Sequence, residues 1–191
     1  MTGGRIKLLL LLAGAAFAGL TLAAWTQTWF TLTLDQGQQV VAAGSVAAPA
    51  LTALALSQLV LVGAIAIAGR FFRVVLGALQ VLLGATIALS AGLAISGPVA
   101  ASGAVVTKAT GIEGASAIAD LVTAVEASAW PVISLIAGVM LALLGLAIVV
   151  TSGRWPGSNR KYQAVRMAPA ERQRSSVDDW DSLTSGDDPT G

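Results

Sequence analysis

Two glutamines, Gln58 and Gln80, and a threonine, Thr86, stand inside long apolar stretches of this 191-residue chain. They are the polar groups best placed to act within a membrane. A primary amide offers two N–H donors and a carbonyl acceptor. Such groups suit hydrogen bonds between helices, worth about 1 kcal/mol or less per contact, or the lining of a path for an uncharged solute. Gln58 lies near the middle of one apolar stretch and Gln80 about six residues into the next. At helical rise that separates them in depth by about 8 Å and leaves Gln58 closer in level to Thr86. Thr52, Ser57, Ser90 and Ser134 complete the polar set of these stretches. None of them ionises. Proton relays and ion-coupling sites are marked by ionisable residues at membrane depth, and the absence of Asp, Glu, Lys and Arg from these stretches argues against a coupled pump.

A second group lies near the C-terminus, where SSVDDWDSLTSGDDPTG surrounds Trp180 and Leu183 with aspartates. On a helix, Trp180 and Leu183 at i, i+3 share a face. Two apolar anchors in acidic sequence fit a short motif that docks in a basic groove of a partner. The residues equally fit a solvated acidic tail. The candidate docking residues are Trp180, Asp181, Leu183, Asp187, Asp188 and Pro189. The chain has no His and no Cys, which removes thiol nucleophiles, disulfides and cysteine-held metal. There is no Gly-rich phosphate loop and no carboxylate pair within the apolar stretches. No catalytic, metal or cofactor residue is assigned, and an enzyme is not expected.

The elements that must position these groups follow from composition. Hydrophobic residues make up 55% of the chain and charged ones 11%, against roughly a quarter charged in a soluble domain. Mean hydropathy is +0.80. Four stretches approach the 20 or so apolar residues that span a bilayer core as helix: Leu8–Ala24, Val46–Gly69, Val74–Ser96 and Ala129–Ser152. The expected fold is an all-α four-span bundle, with 1–7 before it, a short turn at 70–73 and a tail from 153 to 191. Ten of the eleven basic residues flank the spans on one side and only Lys108 lies on the other, which puts both termini in the cytoplasm. Trp25, Trp29 and Trp130 then mark the outer boundary and Trp155 the inner one. Arg5, Lys7, the Leu-rich run and Ala16-Phe17-Ala18 also fit a secretory signal; apolar sequence continuing to Trp25 favours retention of the first span.

The outer segment 25–45 contains TWFTLTL, with a period of two, then the turn-like Asp35-Gln36-Gly37-Gln38 and Val40-Val41, which predicts a small β-hairpin. An isolated hairpin is marginal in water, so it is expected to pack against the second outer segment, 97–128. There Ile112, Ala115, Ile118, Val122, Val125 and Ala129 recur at helical spacing, which predicts an amphipathic helix from Ile112 to Ser128 lying over the bundle. Gly84, Ala88 and Gly92, with Gly138 and Ala142, permit close helix approach, within one chain or between copies. After Ser152 the composition turns polar, and the tail is expected to be disordered. Its basic residues Arg160 and Lys161 suit attraction to anionic lipid.

Three stretches carry a likeness to a known family. They are Ala24-Trp25 with its Thr-rich extension, Ala43-Gly44-Ser45 through Ala48-Pro49-Ala50-Leu51 into an Ala/Leu-rich helix, and the tail. In the tail, Arg154-Trp155 and Arg160-Lys161-Tyr162 precede Asp179-Trp180-Asp181-Ser182-Leu183 and Gly186-Asp187-Asp188-Pro189-Thr190. The chain resembles the bacterial tryptophan-biosynthesis-associated membrane proteins, a four-span family without an established activity. The resemblance implies a bacterial plasma-membrane location and a loose link to that pathway, and it transfers no catalytic residue. It favours a functional tail. The leading expectation is a non-enzymatic tether or regulator that docks a cytoplasmic or membrane partner through the tail. The alternative is an oligomeric facilitator for an aromatic metabolite such as tryptophan or indole, with Gln58, Gln80 and Thr86 along its path. A third reading gives the outer segments a ligand outside the cell. The bilayer and a second copy of the chain are the other expected partners; nucleic acid is not.

Overall fold

The computed structural model describes residues 3–154. Four longer helices form the body of the molecule: α1 (Gly3–Thr26), α3 (Leu51–Ile67), α4 (Arg70–Ser96) and α8 (Trp130–Thr151). Three of them, α1, α4 and α8, are long and apolar enough to cross a membrane. Helix α3 is equally apolar but only 17 residues long. The expected span from Val46 is interrupted. A four-residue helix, α2 (Gly44–Ala47), stops at Ala48, whose backbone is extended toward φ −147° and ψ 71°. Pro49 is the cause, because its ring disfavours helical backbone at the preceding residue. At the other end, 70–73 is not a turn. Helix α4 begins at Arg70, and the chain reverses over Ala68 and Gly69 alone.

The helices form a ring in which α1 touches α3 and α8, and α4 touches α3 and α8. The closest pair is α4 with α8. Gly84 of α4 and Gly138 of α8 lie face to face. A Cβ on Gly138 would sit 2.5 Å from Ala88 N and 2.9 Å from Gly84 O, and one on Gly84 would sit 2.8 Å from Gly138 O. Backbone meets backbone there, as small residues allow. The Gly84/Ala88 and Gly138/Ala142 repeats therefore serve contacts within the chain.

One end of this ring carries Arg5, Lys7, Arg70 and Arg73 and is called the basic end below. The other carries a small cap. Strands β1 (Thr28–Leu34) and β2 (Gln39–Ala43) form the expected hairpin, Leu32 opposite Val40, closed by Gly37 at φ +77°. The amphipathic helix predicted over Ile112–Ser128 is shorter than expected. Helix α7 covers Ala115–Leu121, and Val122–Ala127 is a third strand, β3, antiparallel to β1 with Leu32 opposite Val125. Two causes favour the strand. Val122, Thr123 and Val125 are β-branched, and β1 has a second edge of backbone donors and acceptors to satisfy. Thr123 Oγ1 donates to Thr33 O at 2.9 Å and Ser128 Oγ to Thr28 O at 2.7 Å, pinning the strand at both ends. Before them come α5 (Pro98–Ala101) and α6 (Gly103–Thr110), neither of which the periodicity marked.

The cap and bundle share one core, built on Trp29, Phe30 and Leu32 from β1 with Leu51, Ile87, Val106 and Leu141 from the helices. Trp29 is not an interfacial anchor. It is fully buried, donates Nε1–H to Ala24 O at 2.8 Å and meets the Phe30 ring edge-on at 6.3 Å. Trp25 and Trp130 are half-buried beside it.

Candidate functional site

Gln58 on α3 and Gln80 on α4 are both fully buried, and they meet. Gln58 Nε2 donates to the backbone carbonyl of Gln80 at 3.4 Å, a long hydrogen bond. The 8 Å offset expected between them vanishes because the reversal falls at Ala68–Gly69. Each glutamine lies eleven residues from Gly69 (58 to 69, and 69 to 80), hence about 16 Å from the turn on either arm at helical rise. On the opposite helix, Gly14 leaves room for the pair: a Cβ there would come 3.0 Å from Val62 Cγ2 and 3.7 Å from Gln80 Nε2. Three amide atoms of the pair, Gln58 Oε1, Gln80 Nε2 and Gln80 Oε1, have no hydrogen-bond partner among the described residues. Buried polar groups are normally paired, so these atoms could serve a small uncharged guest with donor and acceptor groups. They carry no charge and cannot relay a proton.

Thr86 takes no part in this arrangement. Its side chain is exposed on the outside of α4 and donates back to Leu82 O at 2.8 Å. Ser57 and Ser90 likewise bond the carbonyl one turn earlier in their own helices. Ser134 is fully buried on α8 with an unpartnered hydroxyl, and Ser102, between α5 and α6, is a further case that the sequence did not single out. Among the described residues no group of three His, Cys, Asp or Glu gathers where it could hold a metal. Trp180, Asp181, Leu183, Asp187, Asp188 and Pro189 lie outside the described residues.

A family model of the tryptophan-associated transmembrane proteins matches residues 8–190. The chain belongs to that family. The match extends past the helices through the acidic C-terminal motif, and it agrees with the likeness read from the tail and the Trp25 region. No curated protein and no solved structure matches the chain.

This tryptophan-associated transmembrane protein has two further recesses where the cap meets the helices. One, of about 570 Å³, is walled by Ser96, Pro98, Val99, Gly103, Ala115 and Ile118 among others. The second, of about 340 Å³, lies between the Ala47–Ala50 segment and the last turns of α4, and the two share Gly97 and Ala100. Both are lined by small and apolar residues without a charged group, so shape and hydrophobicity alone would select what enters.

Proposed function

We propose that this protein is a four-span, non-enzymatic plasma-membrane protein that tethers or regulates a cytoplasmic partner through its acidic, Trp-containing tail. The observation that carries the reading is the reach of the family match, which runs to residue 190 and so takes in Asp179-Trp180-Asp181-Ser182-Leu183 and Asp187-Asp188-Pro189-Thr190. Helix α3 serves as the fourth span. Its 17 residues measure about 25 Å, within a few ångströms of the hydrocarbon thickness, a mismatch that snorkelling and local thinning absorb. Its place in the ring between α1 and α4, both long enough to cross, supports the assignment. The distribution of basic residues then puts both termini on the cytoplasmic side.

The test is tail-dependent capture. Full-length protein purified in mild detergent is compared with a chain ending at Ala168 and with Trp180→Ala/Leu183→Ala. Loss of the same partner from both, with membrane insertion intact, supports the reading; retention in both refutes it. A second reading is favoured by one observation, the three unpartnered amide atoms of Gln58 and Gln80: an oligomeric facilitator for tryptophan or indole. It predicts that Gln58→Leu alters flux of the labelled metabolite while the tail truncation does not.

A further inference from the structure

The two recesses at the cap end of α4 adjoin, and small residues leave the space for them. Ala48, Gly97, Ala100, Gly103 and Ala115, all in their walls, carry one side-chain carbon or none. These side chains select only by shape and hydrophobicity, but the backbone adds a polar group. Pro98 stands four residues after Ala94, where the N–H of a continuing helix would bond the Ala94 carbonyl. Proline has no N–H, and it disfavours helical backbone at the residue before it. Gly97 accordingly leaves the helix at φ −136° and ψ 64°, its own N–H bonded to Leu93 O at 3.1 Å. No donor among the described residues reaches Ala94 O, although Ala94 is only 3% exposed. Helix carbonyls point toward the C-terminal end, so this one points toward Gly97, Ala100 and Ala101, which with Ala94 wall the smaller recess. A second unpaired group follows in the chain. Ser102 is fully buried and its hydroxyl has no partner. Ala101 before it walls the smaller recess and Gly103 after it the larger.

Buried polar groups without a partner are the exception in folded proteins, and here they coincide with space. The recesses, of about 570 and 340 Å³, fall within the size range of small-molecule sites. No charged side chain lines either of them, so an ion would enter without a counter-charge, at a cost that a neutral molecule avoids. We propose that the joined recesses bind a small uncharged apolar molecule carrying one O–H or N–H, such as an aromatic alcohol. Its donor bonds Ala94 O and its apolar body lies among the small residues. A lipid acyl chain would fill the same space and leave Ala94 O unpaired. The proposal rests on neither the tail reading nor the Gln58–Gln80 pair.

The test uses four probes of one shape: 2-phenylethanol, its methyl ether, phenylacetate and 2-phenylethylammonium. The chain has no native cysteine, so Ala100→Cys in the full-length protein gives a single reporter in the wall that both recesses share. Its reaction with an uncharged maleimide is timed against Val41→Cys, an exposed position on β2. The alcohol is expected to slow the reaction at Ala100→Cys alone, at about a fivefold lower concentration than the ether, the worth of one hydrogen bond. Both charged probes are expected to be weaker than the alcohol. Adding Pro98→Ala lets Gly97 turn helical and supplies the missing N–H, which should bring alcohol and ether to within about twofold of each other. Because these variants can disturb the cap, saturation-transfer NMR ranks the same probes on the unaltered chain in nanodiscs, with empty nanodiscs subtracted. Equal binding of alcohol and ether to the unaltered chain, which a groove for acyl chains would give, overturns the proposal. So does binding of either charged probe as tight as the alcohol, or no binding by any of them.

Discussion

Changing Gly84 or Gly138 to alanine should cost more than any other single-methyl addition to the helices. The reason lies in what the new carbon would meet. At Gly138 it arrives 2.5 Å from Ala88 N and 2.9 Å from Gly84 O, about an ångström inside ordinary carbon contact. Both obstacles are backbone, so no rotamer change relieves the clash; α4 and α8 must separate along their length. Overpacking of this kind costs about 1–3 kcal/mol, and the backbone obstacle puts these sites at the upper end. Gly19 and Gly63 are the internal controls, because a Cβ there has nothing within 4 Å. At those positions alanine removes backbone freedom from the unfolded chain and stabilises a helix by up to about 1 kcal/mol. The assay is thermal unfolding of the purified protein in one detergent, followed by circular dichroism. A 2 kcal/mol loss corresponds to a fall in Tm of about 4–8 °C for a chain of this size. The double variant Gly84→Ala/Gly138→Ala should lose less than the sum of the two, since one separation accommodates both carbons. Equal Tm values for Gly138→Ala and Gly63→Ala would refute the packing argument.

Three further outcomes follow from named contacts. A chain without native cysteine makes strand register directly testable: Thr31→Cys/Glu126→Cys, which places two thiols on opposed residues of β1 and β3, should form a disulfide under mild oxidation, seen as a gel shift reversed by reductant, while Thr31→Cys/Ala117→Cys should not. Trp29→Ala should destabilise by about 3–5 kcal/mol through the cavity it leaves, and Trp29→Phe by about 1–3 kcal/mol because Ala24 O loses its buried donor; thermal melts of both variants rank them. Gln80→Met should raise Tm by a few degrees if its amide stands unsatisfied, since an unpaired buried polar group costs about 1–3 kcal/mol, whereas a fall in Tm would mean the amide is paired in the native membrane.

The long apolar runs were legible because lipid requires them, and so was the β1–β2 hairpin, whose alternation from Thr28 to Leu34 and Gly-containing turn leave little choice. Strand β3 was not. The sequence VTAVEA places Val122 and Val125 three apart, which satisfies a helical stripe as well as a strand broken by the irregular register between Thr33 and Leu34. Only the open edge of β1, a partner almost ninety residues away, decides between them. Trp29 misled for a related reason. A tryptophan beside a span usually sits at the interface, but Gly44 gives this indole a place to lie flat, with a would-be Cβ only 2.6 Å from its Nε1. The glutamine pair failed on arithmetic about the turn: starting the third span at Val74 rather than Arg70 moved Gln80 four residues along its helix.

Helix α3 carries most of what remains unexplained by packing alone. Its N-terminus follows the Pro49 break, which forms one wall of the smaller recess. Its middle holds Gln58, attached to α4 by a single 3.4 Å hydrogen bond. Its C-terminal carbonyls are held by cations from α1 and α4. Gly63, exposed on its outer face, meets nothing within 4 Å. The α4–α8 pair is the reverse, locked backbone to backbone at Gly84 and Gly138. Among neighbouring helices of the ring the closest approach is α4 with α8, backbone to backbone, and the slightest contact is α3 with α4. A shift of α3 against α4 would change the basic end and the amide pair together, because both contain parts of that one helix.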